Sequence, residues 1–195
     1  MDIEFEPIEI LAKAARILDD LKISWMVGGS FASSFYGAAR FTGDADVVID
    51  MRSGHVEPLA RELEREFYVN RDAMREALRD RRWFNAIHVE SSFKIDFFVL
   101  GAGPYDREEF GRRLTPRASS PAGTPLVFKT PEDSVLRKLQ WYRLGGEVSE
   151  QQWRDVLGVL IVSRDLLDNA YMDRWAAHLG VSDLLEKARG EAGGV

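Results

Sequence analysis

The segment Asp44-Ala45-Asp46-Val47-Val48-Ile49 constrains this chain more than any other. It reads as an apolar strand that opens with two acids, two residues apart. Strand side chains alternate faces, so Asp44 and Asp46 project to the same side of whatever sheet the segment joins. Like charges on one face repel, and a strand kept only for packing gains little from the arrangement. Two readings fit: a solvated strand edge near a loop, or a pair of hard carboxylate ligands for a divalent cation such as Mg²⁺ or Mn²⁺.

Two further segments bear on that choice. The apolar run Ile23–Val27 ends in Gly28-Gly29-Ser30, and Phe31–Tyr36 then reads as a short helix closed by Gly37. Glycines let the backbone approach a phosphate, a helix start supplies unpaired N–H groups, and Ser30 adds a hydroxyl donor. By itself the turn reads first as an ordinary tight strand-to-helix connection. Downstream, Asp96 interrupts the apolar strand Phe93-Lys94-Ile95-Asp96-Phe97-Phe98-Val99. Burying an acid there is costly unless it pairs with a cation, such as one of the arginines, or binds a metal. Three acids from two strands beside a phosphate-cradling turn suit two-metal phosphoryl chemistry.

The pattern around these segments predicts an α/β (α+β) fold: a small mixed sheet flanked by helices, followed by a C-terminal helical lobe. Helices are expected over 7–21, 55–67 and 71–82, with strands over 84–90 and 93–100. The Gly-, Pro-, Ser- and Arg-rich stretch 101–125 reads as a boundary loop, so residues 1–125 form the core domain and 126–195 the lobe. Thr130-Pro131-Glu132-Asp133 is a helix start, with Thr as N-cap and Pro in the first helical position. That helix runs to about Leu144. Trp153, Val156, Leu157, Leu160 and Ile161 mark the next, and two more are expected over 165–179 and 182–189, with a frayed tail from Glu191. The arginines over 71–82 alternate with acids and read as a salt-bridged solvated helix, and His88 reads as a hydrogen-bonded structural histidine.

Composition removes whole classes of chemistry. The 195 residues include no cysteine, and the three histidines, His55, His88 and His178, lie far apart. Thiol catalysis, disulfides and a histidine-rich metal site are excluded. With 26 Lys and Arg against 32 Asp and Glu the formal net charge is −6, which disfavours a large nucleic-acid partner and favours a cationic one. No apolar run approaches the roughly 20 residues of a membrane span, and the acidic start lacks the basic region of a signal peptide. A cytoplasmic protein without membrane attachment is expected.

Taken together, Gly28-Gly29-Ser30, then Arg40-Phe41-Thr42-Gly43-Asp44-Ala45-Asp46, then Lys94-Ile95-Asp96 resembles the polymerase-β-like nucleotidyltransferase superfamily. The Arg-x-Thr-x-Asp-x-Asp string is similar to small bacterial nucleotidyltransferases that include the AbiEii-type toxins, and to a short, functionally undefined subgroup of such proteins. Pro131-Glu132-Asp133, Arg137-Lys138-Leu139 and Trp153-Arg154-Asp155 look like signatures of their helical lobes, so the resemblance covers about residues 23–160. It implies that Gly28, Gly29 and Ser30 hold a nucleoside triphosphate, helped by Arg40, Thr42 and Lys138. Asp44 and Asp46 would bind Mg²⁺ or Mn²⁺, and Asp96 would be the third ligand or the base. The implied activity moves a nucleoside monophosphate from an NTP to a hydroxyl on a protein, a tRNA or a small molecule, releasing pyrophosphate. The alternative is a nucleotide-binding or antitoxin-type module with a protein partner, as in toxin–antitoxin pairs.

Overall fold

The computed structural model describes residues 6–39, 42–116 and 124–194. The first apolar stripe folds as expected. Ile10, Leu11, Ala14, Ala15 and Leu18 are buried along one face of helix α1 (Glu6–Asp20). A mixed five-stranded sheet follows, built from β1 (Trp25–Val27), β2 (Asp44–Ile49), β3 (Phe67–Val69), β4 (Trp83–His88) and β5 (Lys94–Val99) in the order β1-β2-β5-β4-β3. Only β2 and β5 run parallel; the other neighbours are antiparallel. The parallel pair is central, so its strands are paired along both edges.

Helices complete the elements: α2 (Gly29–Tyr36), α3 (Val56–Leu63), α4 (Arg71–Asp80), α5 (Pro104–Gly111), α6 (Pro131–Leu144), α7 (Glu150–Val162), α8 (Asn169–Leu179) and α9 (Ser182–Gly193). The chain packs as two compact units. One comprises the described residues of Met1–Gly28 and Thr42–Phe128, which include the sheet. The other comprises those of Gly29–Phe41 and Lys129–Val195. Helix α2 therefore packs with the C-terminal helices, against α6 and α7, although it directly follows β1 in the chain.

Four local expectations need correction. The stretch 101–125 contains α5, whose start is held by the Asp106 carboxylate accepting from Gly103 N–H at 3.0 Å. The helix expected over 55–67 ends at Leu63, because Phe67 and Val69 point into the core and pair with β4 as β3. The helix expected from 165 begins at Asn169, capped by Asp168 accepting from Tyr171 N–H. The tail is helical to Gly193, with Ala192 buried and Trp153 Nε1 donating to Glu191.

In the second unit Asp133 is fully buried and accepts from Tyr171 Oη at 2.7 Å and Thr130 Oγ1 at 2.8 Å. The Tyr36 hydroxyl in this unit is buried without a hydrogen-bond partner among the described residues. Burial first, then the charges of Glu132 and Asp133, pushes its phenol above the ordinary tyrosine range. A desolvated, unpaired hydroxyl costs free energy that phenylalanine does not. Tyr36→Phe is therefore expected to leave stability unchanged or raise it by up to about 1 kcal/mol. Thermal melts check this, and a drop of that size would mean the hydroxyl has a partner.

Candidate active site

Strand register assembles the acids. On the parallel pair, Asp46 lies opposite Asp96 and Asp44 opposite Lys94. Register partners on neighbouring strands face the same way, as do residues two apart on one strand. Asp44, Asp46, Lys94 and Asp96 thus share one face of the sheet. Thr42 lies just ahead of β2, where its hydroxyl donates to the Asp44 carbonyl at 3.0 Å and to Asp44 Oδ1 at 3.3 Å. It braces the first acid.

The environments of the acids differ. Asp44 is half-exposed, whereas Asp96 is only 8% exposed. Asp96 Oδ2 accepts from Lys94 Nζ at 2.6 Å. Its other oxygen, Oδ1, is buried and has no hydrogen-bond partner among the described residues. A buried carboxylate oxygen left unpaired is costly. It is the expected state of a ligand atom that faces a cation, and three hard carboxylates are a donor set suited to Mg²⁺. Among the described residues, however, no group of three acid, histidine or cysteine side chains closes to metal-binding geometry. Lys94 stands among the acids, also 3.5 Å from Asp44 Oδ2. Its hydrogen bond to Asp96 holds the ammonium above the usual lysine range, against a smaller opposing effect of burial.

Lys94 is the residue that the motif reading passed over. The ion-pair alternative for Asp96 is an arginine; the cation observed beside it is the lysine two residues earlier. The signal was available, since period-two alternation places residues 94 and 96 on one face.

The glycine turn forms as expected. Gly28 N–H donates to the Asp46 carbonyl at 2.8 Å, tying the end of β1 to the acid strand. Gly29 has φ +52°, a left-handed conformation that glycine adopts without a Cβ penalty, and it opens α2. Ser30 sits in the first turn of α2 and its carbonyl accepts from Ser33 Oγ. Arg40 lies outside the described residues.

Lys138, on α6, is mostly buried and pairs with Asp155 of α7 at 2.8 Å. Gln151 Nε2 donates to the other Asp155 oxygen at 2.9 Å. Asp155 thus points into the helical unit. The other residues set aside as structural behave so. His88 is buried and bonds Ser91 Oγ through Nδ1, and Arg71 and Arg75 are paired with Glu57, Glu64 and Asp72.

No protein-family model matches the chain, and no curated protein matches it. Solved structures do. The antibiotic-resistance factor ANT(2'')-Ia aligns with a TM-score of 0.55 and 15% identity, over 94% of this chain and 97% of the other. Its complex with adenylyl-2''-tobramycin gives 0.58 and 14%, over 88% and 95%. An antigenic nucleotidyltransferase-like protein from Paracoccidioides brasiliensis gives 0.55 and 14%, over 95% and 93%. The lincosamide antibiotic adenylyltransferase LnuA, lincomycin-bound, gives 0.53 and 10%, over 79% and 96%. At these identities the likeness is one of fold: the chain has the mixed α+β fold of nucleotidyltransferases. No helix among the described residues is long and apolar enough to cross a membrane.

Proposed function

We propose that the chain transfers a nucleoside monophosphate from an NTP to a hydroxyl acceptor and releases pyrophosphate. The observation that carries this reading is the acid face, in which Asp46 and Asp96 are register partners and a buried Asp96 oxygen lacks a hydrogen-bond partner among the described residues. Asp44 and Asp46 would hold Mg²⁺ or Mn²⁺, with Asp96 as third ligand or as the base. The metal, when bound, offsets the triphosphate's negative charge and favours the deprotonated acceptor.

The chain's own groups do the rest. The start of α2, with Gly29 and Ser30, offers N–H groups and a hydroxyl to phosphate oxygens, continuing the turn begun at Gly28. Thr42 keeps Asp44 oriented. Lys138 would reach the phosphates only by giving up its ion pair with Asp155. In the reaction the acceptor oxygen bonds to the α-phosphorus. The bond from that phosphorus to the oxygen bridging the β-phosphate breaks, and pyrophosphate leaves with the electron pair. The acceptor's proton passes to a carboxylate of the acid face.

The net charge of −6 favours a cationic acceptor over a tRNA. A small amine-bearing antibiotic also matches the molecule solved with one structural neighbour, the adenylylated tobramycin of ANT(2'')-Ia. The test is incubation with each labelled NTP, Mg²⁺ and a panel of aminoglycosides, protein and tRNA, reading label on acceptor and pyrophosphate release. Transfer to an acceptor supports the reading. Absence of metal-dependent NTP binding in a folded protein overturns it.

A second reading, a nucleotide-binding or antitoxin-type module, draws on Lys94, which already neutralises part of the acid face. It predicts NTP binding without pyrophosphate release, and a protein partner of toxin–antitoxin type.

A further inference from the structure

Lys94 is the one member of the acid face without a role in the reaction above. Its ammonium touches two carboxylates that come from neighbouring strands, Asp96 Oδ2 at 2.6 Å and Asp44 Oδ2 at 3.5 Å. A two-metal phosphoryl-transfer site would bring a second divalent cation to such a group of acids. We propose that the Lys94 ammonium stands in for one of those two cations, so that this acid face takes a single divalent ion. The inference rests on the nucleotidyltransferase reading and specifies its metal content.

Three observations carry it. The first is competition for the same oxygens. A Mg²⁺ ion needs its ligand oxygens at roughly 2.0–2.1 Å. An ion bridging Asp44 Oδ2 and Asp96 Oδ2 would therefore lie against the ammonium that contacts both. Two positive charges at that range repel strongly where water is partly excluded.

The second is charge. Asp44, Asp46, Asp96 and Lys94 themselves sum to −2, which one divalent ion balances; two would take these four groups to +2 before a nucleotide arrives.

The third is that a place for one ion remains. Lys94 engages Asp96 through Oδ2, while Oδ1 stays buried without a hydrogen-bond partner among the described residues, on the strand position opposite Asp46. The backbone that carries the lysine is also fixed in place. It sits on a central strand, paired with Asp44 of β2 and Ile87 of β4, rather than on a loop free to swing away.

The experiment uses Mn²⁺ alone as probe on the full chain. Equilibrium dialysis counts bound ions, and electron paramagnetic resonance reports whether they are close enough to couple. The wild type is expected to bind one Mn²⁺ with the spectrum of an isolated ion. Lys94→Met, which keeps the stem and removes the charge, is expected to bind two, spin-coupled as ions about 3.5–4 Å apart are. Lys94→Arg, which keeps a cation, is expected to stay at one.

Two coupled ions in the wild type overturn the inference, as does a single ion in a folded Lys94→Met. So does a wild type that binds none while Lys94→Met binds. The first two leave the proposed activity standing; the third also removes the metal that activity needs. No binding by any variant overturns the metal assignment of the proposed function itself. Circular dichroism verifies folding, and Lys94→Gln answers the same question if the methionine variant does not fold.

Discussion

Asp96→Asn is expected to lower nucleotidyl transfer by at least about a thousandfold while leaving the melting temperature unchanged or slightly higher. The activity estimate follows from the several kcal/mol of charge stabilisation that a metal and its ligands supply in phosphoryl transfer; about 4 kcal/mol corresponds to three powers of ten. The stability estimate follows from position. Asp96 is 8% exposed, lies opposite another acid, and carries one buried oxygen with no hydrogen-bond partner among the described residues. Asparagine has the same shape, keeps an oxygen for Lys94 to donate to, and removes a like-charge pair from the face. A group that costs stability where it stands and gains function there is the signature of a site. If Asp96 is kept only for its ion pair with Lys94, the outcome reverses: the melting temperature falls and transfer persists. Thermal melts and initial rates on the same preparation decide between the two.

The acid face was legible because strand alternation and the three acids are both local patterns. Its internal cation was equally local, but the apolar flanks of Lys94-Ile95-Asp96 drew attention to the acid alone. Helix α5 shows a similar miss. Gly103-Pro104-Tyr105-Asp106 carries the start signal of Thr130-Pro131-Glu132-Asp133, proline first and an acid third. The glycines and prolines around it suggested a loop. Strand β3 was hidden for another reason. Its three residues, Phe67-Tyr68-Val69, are too few to show alternation, and only pairing with β4 defines them. The packing of α2 with the C-terminal helices rather than the sheet is a long-range choice. No short window of sequence encodes it, although two glycines mark where it happens.

Those glycines carry the second large effect. Gly37→Ala is expected to destabilise the protein by about 3 kcal/mol, the upper range for overpacking a close contact. A Cβ at Gly37 would lie 2.9 Å from the Gly158 carbonyl carbon, from Val159 N and from Ser33 O. All three are backbone atoms, so no side chain can turn aside to make room. The end of α2 cannot retreat cheaply either, because Ser163 Oγ donates to the Tyr36 carbonyl at 2.7 Å. Gly158→Ala, on the other side of the same approach, is the control. Its Cβ would meet Ala38 N at 3.2 Å, a milder contact. Removing a mid-helix glycine returns up to about 1 kcal/mol of helix propensity against it. The two substitutions should therefore differ by at least about 2 kcal/mol, which for a chain of this size is roughly 4–8 °C in melting temperature. Equal effects would mean that α2 and α7 do not meet backbone to backbone. Because α2 opens with Gly29 and Ser30, forcing its far end outward should also raise KM for the NTP more than it lowers kcat. That links a packing contact to the proposed phosphate-binding turn at the other end of a two-turn helix.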